Sequence, residues 1–409
     1  MQNPNKYACL FLFSMAFAVS GVGMSLARGL ARAAVDMVAD MKSGNAGFFE
    51  NFRAKVDEVT SKRLSYHGIL MDINSIKDNL LGTRIVIKDG SVIVKSDSGS
   101  LMNVQEKIAP GEIQRIAEQI ARLQHFAESK GARFLYGQAP LKAFFETPPA
   151  NAEDHCAENH GALLEELGKR GVPFLDFAET IAGNRFDLKD AYYYTDHHWT
   201  ARVGFYAAQA ICSELHARYG FEYDGRIADI GNYGIALHRN WFLGSAGKKV
   251  GSYFTWHGLD DFELITPRFE TALVEKQPVK NLVRSGKFED TVLHMEHMKK
   301  KRYEVNPYST YSGGDFRLQI VENTLNPSGK KMLLIRDSSA CVVAPFLALH
   351  LGELHVCDIR NYVYFIGDRV NLAEHIGQFE PDYVVVLYSG ASGAMADAGR
   401  YSFFPERTR

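Results

Sequence analysis

The chain has 409 residues, 46% of them hydrophobic and 23% charged, which suits one large α/β domain with insertions or two domains and excludes large-scale disorder. A formal net charge of -2 gives no global field that would favour nucleic acid. The five cysteines, Cys9, Cys156, Cys212, Cys341 and Cys357, form no CxxC pair, so isolated buried thiols are expected rather than a zinc or thioredoxin-like site.

Residues Tyr7 to Ala27 form an uncharged apolar run behind Lys6. A bilayer-spanning helix needs roughly 20 such residues, whereas a signal-peptide core needs about 7–15. The run is therefore expected to be an uncleaved membrane anchor. The small residues of Ser25-Leu26-Ala27 leave a cleaved signal peptide as the alternative. Either reading puts the rest of the chain outside the cytoplasm, in the cell envelope or secreted. Arg28 and Arg32, just after the run, weigh against that orientation. Residues 1–29 are assigned to this segment and residues 30–105 to a membrane-proximal region. Within the latter, two alternating stretches, Arg84 to Lys88 and Ser91 to Lys95, flank Asp89-Gly90 and predict a β-hairpin.

From residue 106 to 409 the pattern is α/β. Ile113, Ile116, Ile120, Leu123 and Ala127 share one helical face, and Gly131 stands where a C-cap belongs. A buried strand is expected over Arg133–Gln138, a helix over His155–Lys169, and the next strand over Val172–Asp176. Thr200 could cap a helix carrying Val203, Ala207, Ala210 and Ile211. Residues 218–328 lack regular periodicity and read as an irregular insertion. Apolar strands return at Lys331–Arg336, Leu354–Asp358 and Asp382–Tyr388. Helices alternating with short apolar strands predict a flavodoxin-like parallel sheet with helices on both faces.

Two stretches can carry chemistry. In Thr195-Asp196-His197-His198-Trp199-Thr200, Asp196 and His198 are two apart, so the carboxylate can orient the imidazole as a general base. His197 is expected to project away from that pair. Asp196, His197 and His198 as metal ligands, or a polar loop that only caps a helix at Thr200, are the other readings. The second stretch is Arg336-Asp337-Ser338-Ser339-Ala340, just past a predicted strand. There a serine can face the ligand crevice, with backbone N–H groups aimed at an oxyanion. A simple helix cap by Asp337 and Ser338 is the alternative. Taken together, Asp196, His198 and Ser338 are the parts of a serine acyl-transfer triad. Arg360, at the end of the next strand, suits an acyl oxygen, a carboxylate or a sugar hydroxyl, or else a structural salt bridge.

Tyr192-Tyr-Tyr-Thr-Asp-His-His-Trp-Thr200, the glycine-rich Phe242–Gly251, Asp260-Asp-Phe262, Lys331–Ser338 and Asp358-Ile-Arg360 occur in an order that resembles DHHW family proteins. These are similar to the SGNH/GDSL-like proteins of alginate O-acetylation. The resemblance covers most of the chain after about residue 45. It implies an SGNH-like fold, with Asp196 and His198 as the family's Asp-x-His pair and Ser338 as the nucleophile of its Gly-Asp-Ser element. In this chain Arg336 replaces that glycine, and the Gly and Asn of the SGNH oxyanion hole have no evident counterpart. The implied activity is O-acetylation of an exported or cell-surface polysaccharide. No cofactor and no metal are expected, Arg360, Trp199 and Asp337 are expected near the substrate, and a membrane-bound O-acyltransferase is the implied acetyl donor. The alternatives are an acetylesterase using the same triad, a non-catalytic glycan-binding scaffold, and a metal-dependent hydrolase.

Overall fold

The structure, a computed structural model, describes residues 67–88, 91–299, 303–360, 367–390 and 399–404. The chain divides into two compact units, residues 1–81 and 82–409. The described part of the first unit is helix α1 (His67–Leu80) and the residue after it. No helix among the described residues is long and apolar enough to cross a membrane. The predicted span Tyr7–Ala27 and the expected boundary at residue 29 lie outside the described residues.

The second unit opens with an antiparallel ribbon of β1 (Ile85–Lys88), β2 (Ser91–Lys95) and β3 (Leu101–Asn103). Lys88 pairs with Ser91 across residues 89–90, as the Asp-Gly signal predicted. This ribbon belongs to the same compact unit as the α/β body that follows.

That body begins with α2 (Pro110–Ser129), whose five predicted apolar positions are all buried. It ends before Gly131, which adopts φ 87°, a left-handed conformation that only glycine takes without strain. Then come β4 (Arg133–Ala139), α3 (Cys156–Lys169), β5 (Phe174–Asp176), α4 (Phe177–Gly183) and α5 (Ala201–Tyr219). An antiparallel pair, β6 (Tyr233–Phe242) and β7 (Asp260–Pro267), brackets the short helix α6 (Ser245–Val250). Next are β8 (Leu273–Gln277), β9 (Leu282–Gly286), β10 (Leu318–Asn323) and β11 (Lys331–Arg336). The last elements are α7 (Ala344–Ala348), β12 (Glu353–Cys357), α8 (Leu372–Phe379) and β13 (Tyr383–Ser389).

The main sheet runs β5-β4-β13-β11-β12-β10-β8-β9. The pairs from β5 to β12 are parallel, as expected. The pairs from β12 to β9 are antiparallel, so the sheet is mixed rather than purely parallel. This corrects the reading of residues 218–328 as irregular, because that stretch supplies β8, β9 and β10.

Helices cover both faces, and the strands show why. Along β11, Met332 and Leu334 enter one apolar core with α5 and α7, while Leu333 and Ile335 enter the other with α2, α3 and α8. Successive side chains point to opposite faces, so a continuous apolar run marks a strand buried on both sides. The chain passes from β11 to β12 on one side, and β13 lies on the other. The carboxyl ends of β11 and β13 therefore flank the crevice where open α/β sheets bind ligands.

Candidate active site

Ser338 follows β11 directly and starts a short 3-10 turn, Ser338–Val342. Asp337 caps this turn by accepting a hydrogen bond from the Ser339 amide at 2.9 Å. Its other oxygen accepts from the Ser389 amide at 2.8 Å, the Ser389 hydroxyl at 2.7 Å and Arg400 Nη2 at 2.7 Å. Burial opposes ionisation of Asp337, but the Arg400 and Arg360 charges outweigh it and hold the carboxyl well below the usual carboxylate range. The Ser338 loop is thus bolted to the end of β13 through one buried carboxylate.

The Asp-His stretch is a narrow loop closed by a bridge between Tyr192 and Trp199 and leading into α5. Thr200 takes the N-cap position, yet its hydroxyl donates to the Asp190 carbonyl at 2.7 Å instead of accepting from the helix. The loop is gripped from two sides. Buried Asp260 accepts from the Tyr194 and Thr195 amides and the Thr195 hydroxyl. Buried Lys142 donates to the carbonyls of Leu101, Tyr193 and Tyr194. Burial pushes Asp260 up to about 6 and Lys142 down to about 8. Gly244 presses on the loop from α6, where a Cβ would lie 2.2 Å from that of Asp196.

The two loops meet. Asp196 Oδ1 lies 2.5 Å from His198 Nδ1, and His198 Nε2 lies 2.8 Å from Ser338 Oγ. Asp196 is fully buried, and its other oxygen accepts from the Ser245 amide at 2.5 Å. Burial works against the charge on Asp196, but His198, His197 and the Ser245 amide keep it well below the usual carboxylate value. With the Nδ1 proton directed to Asp196, His198 Nε2 is left to accept from the Ser338 hydroxyl. Tyr308 stacks on the His198 ring at 4.1 Å and 13° between planes, fixing its tilt.

A cleft of about 590 Å³ opens over Ser338 and His198, with His197, Lys249, Asp315 and Arg360 among its lining residues. Arg360 donates through Nε to Asp358 at 2.9 Å and through Nη2 to Asp315 at 3.2 Å, so the salt-bridge reading of this residue is realised at the edge of the cleft. Trp199 and Asp337 do not line the cleft. Trp199 is buried behind the serine turn and donates from Nε1 to the Ser339 carbonyl at 2.8 Å. Arg336, in place of the expected glycine, turns its buried guanidinium to Asp315 and to the Gly314 carbonyl. His197 departs from expectation: its ring packs 3.8 Å from that of His198 and faces the same cleft. Lys142, Tyr308 and Arg400 carried no sequence signal. Ser245 and Asp260 lay inside quoted motifs, but no role was read for them.

Among the described residues, Asp196, His197 and His198 are a group able to share a metal ion, with ligand atoms within 4.8 Å of one another. Their atoms are largely committed to each other, to Ser245 and to Ser338, and a cation held by His198 Nε2 would displace the serine. The donor set fits a proton relay better than a metal.

Residues 101–228 match the profile of the SGNH hydrolase-like domain of the acetyltransferase AlgX. Over that third of its length the chain is similar to an AlgX-type SGNH hydrolase-like domain. The matched segment contains Asp196 and His198, and Ser338 lies beyond it. Among solved structures, a DHHW family protein from Eubacterium siraeum is 19% identical over 78% of this chain and 97% of its own, with a TM-score of 0.56. Bacillus cereus PatB1 is 20% identical over 73% of this chain and 96% of its own, with a TM-score of 0.59. PatB1 with a sulfonyl adduct is 18% identical over 78% and 100%, with a TM-score of 0.60. These likenesses are of fold alone, and each spans most of the chain. No curated protein sequence matches it.

Proposed function

We propose that this protein is a serine O-acetyltransferase that acts on a polysaccharide outside the cytoplasm. The observation that carries the reading is the hydrogen-bonded line from Asp196 through His198 to Ser338. His198 takes the Ser338 proton as Oγ attacks the acetyl carbonyl, and Asp196 stabilises the imidazolium so formed. Collapse of the tetrahedral intermediate expels the donor's leaving group, which takes the proton from His198, and leaves an acetyl ester on Ser338. A sugar hydroxyl then attacks the ester and gives its proton to His198. The bond from the acetyl carbon to Oγ breaks, and Oγ recovers that proton.

Asp337 and Trp199 act by holding the serine turn, and Arg360, paired with Asp358 and Asp315, forms part of the cleft wall beside the acyl group. The AlgX-type domain supports acetyl transfer, and the apolar run Tyr7–Ala27 supports membrane attachment and an extracytoplasmic site. A membrane-bound O-acyltransferase is the proposed donor.

The test is intact-protein mass spectrometry after exposure to p-nitrophenyl acetate. The wild type is expected to gain one acetyl group, mapped to Ser338, and Ser338→Ala and His198→Ala to gain none. A folded wild type that neither gains the group nor turns over the ester would overturn the reading in favour of a glycan-binding scaffold.

A further inference from the structure

His197, the first histidine of the loop, has no part in the proton relay, yet it stands in the cleft. Its Nδ1 lies 2.9 Å from the Ser245 hydroxyl and 3.6 Å from Asp196 Oδ1. A carboxylate beside Nδ1 favours the tautomer that carries its proton there. The side chain is 42% exposed, and His197 lines the cleft together with Ser338. Its Nε2 is engaged by no described residue. In that tautomer Nε2 carries a lone pair and no hydrogen. A group in that state accepts a hydrogen bond from a hydroxyl and has nothing to offer a carboxylate or phosphate oxygen. Partial burial, with His198 alongside, lowers the pKa of His197 and keeps the ring neutral. The helix that supplies Ser245 is packed so tightly at Gly244 that the Ser245 contact, and with it the ring, has little freedom to swing away.

We infer that His197 is an acceptor-binding residue: its Nε2 accepts a hydrogen bond from a hydroxyl of a neutral sugar ring and so holds a neighbouring hydroxyl over the acetylated Ser338. This rests on the acyl-transfer reading above and adds what selects sugar over water. Water needs no second contact to reach the ester, whereas a sugar must be oriented, so His197 biases the fate of the acyl-enzyme.

The test uses the full chain, p-nitrophenyl acetate as donor and a panel of methyl hexopyranosides at high concentration. The readout is the ratio of acetylated glycoside to free acetate. One neutral hydrogen bond to the acceptor predicts a fall of about five- to tenfold in that ratio for His197→Ala and His197→Phe. His197→Gln, which can present a carbonyl oxygen near the place of Nε2, is expected to recover most of it. Transfer and hydrolysis falling by the same factor in His197→Ala would overturn the inference, as would wild-type hydrolysis with no transfer to any glycoside. In either case acetyl-Ser338 still forms, so the triad stands. Absence of acetyl-Ser338 in the wild type would instead remove both.

Discussion

Ser338 is exposed to the cleft only because residues behind it are fixed, and Asp337 bears most of that task. Its carboxylate neutralises Arg400 inside the protein and satisfies three further donors. Asp337→Asn leaves Arg400 charged and buried without its partner, at a cost of about 3–5 kcal/mol. The pH dependence has a definite sign. The folded pKa of Asp337 lies below its unfolded value of about 3.9, so its contribution is complete above pH ~4 and drains away as pH falls toward the folded value. Urea unfolding at pH 7 should show the full gap between wild type and D337N, and unfolding at pH 3 a narrower one. At this scale the sequence pointed to Asp196, His198 and Ser338, which the fold brings together, because they stand in short polar runs against apolar ones. It could not reveal that Trp199 and Asp337 lie behind the serine, since a side chain near a strand end reads the same whether it faces ligand or core.

The elements legible in the sequence were those with an unbroken apolar run, such as Phe134–Tyr136 of β4, Met332–Ile335 of β11 and Tyr383–Leu387 of β13. β8 and β10 were lost in an apparently irregular insertion because their inward residues are partly polar. The buried positions of β8 are Leu273, Glu275 and Gln277, and those of β10 are Gln319, Val321 and Asn323. Glu275 accepts from His294, Gln277 and Gln319, a network that exists only once the strands are paired. Period-2 hydrophobicity cannot find a strand whose interior is hydrogen-bonded. α6 illustrates how close packing carries function. Gly244→Ala would drive a methyl group into Asp196 and push the Ser245 amide off its carboxylate. A displacement of that order predicts a loss of about 100-fold in the rate of Ser338 acetylation, read by stopped-flow release of p-nitrophenol.

Across the whole molecule, stability comes from the two apolar layers on either side of the sheet, with no covalent cross-link among the described residues. Cys156, Cys212, Cys341 and Cys357 are all free and buried, and burial holds the Cys156, Cys341 and Cys357 thiols at about 12, where they are inert. Thermal unfolding with and without dithiothreitol should therefore give the same Tm, and native-state alkylation should leave these four residues unlabelled. A drop in Tm under reductant would show that two of them pair.

β13 lies inside the sheet, between β4 and β11, and pairs Val384 with Phe134 near the start of the domain and with Leu333. The keystone is thus synthesised after both of the strands that it joins. Until it arrives, β4 and β11 are open edges that invite pairing with other chains. The sheet cannot close until β13 has emerged, and closing it joins segments far apart in the chain, which folds slowly. The unfinished chain therefore stays vulnerable to aggregation for longer than a protein whose sheet grows in chain order. The serine turn too is incomplete until then, since Asp337 lacks its contacts with Ser389 and Arg400.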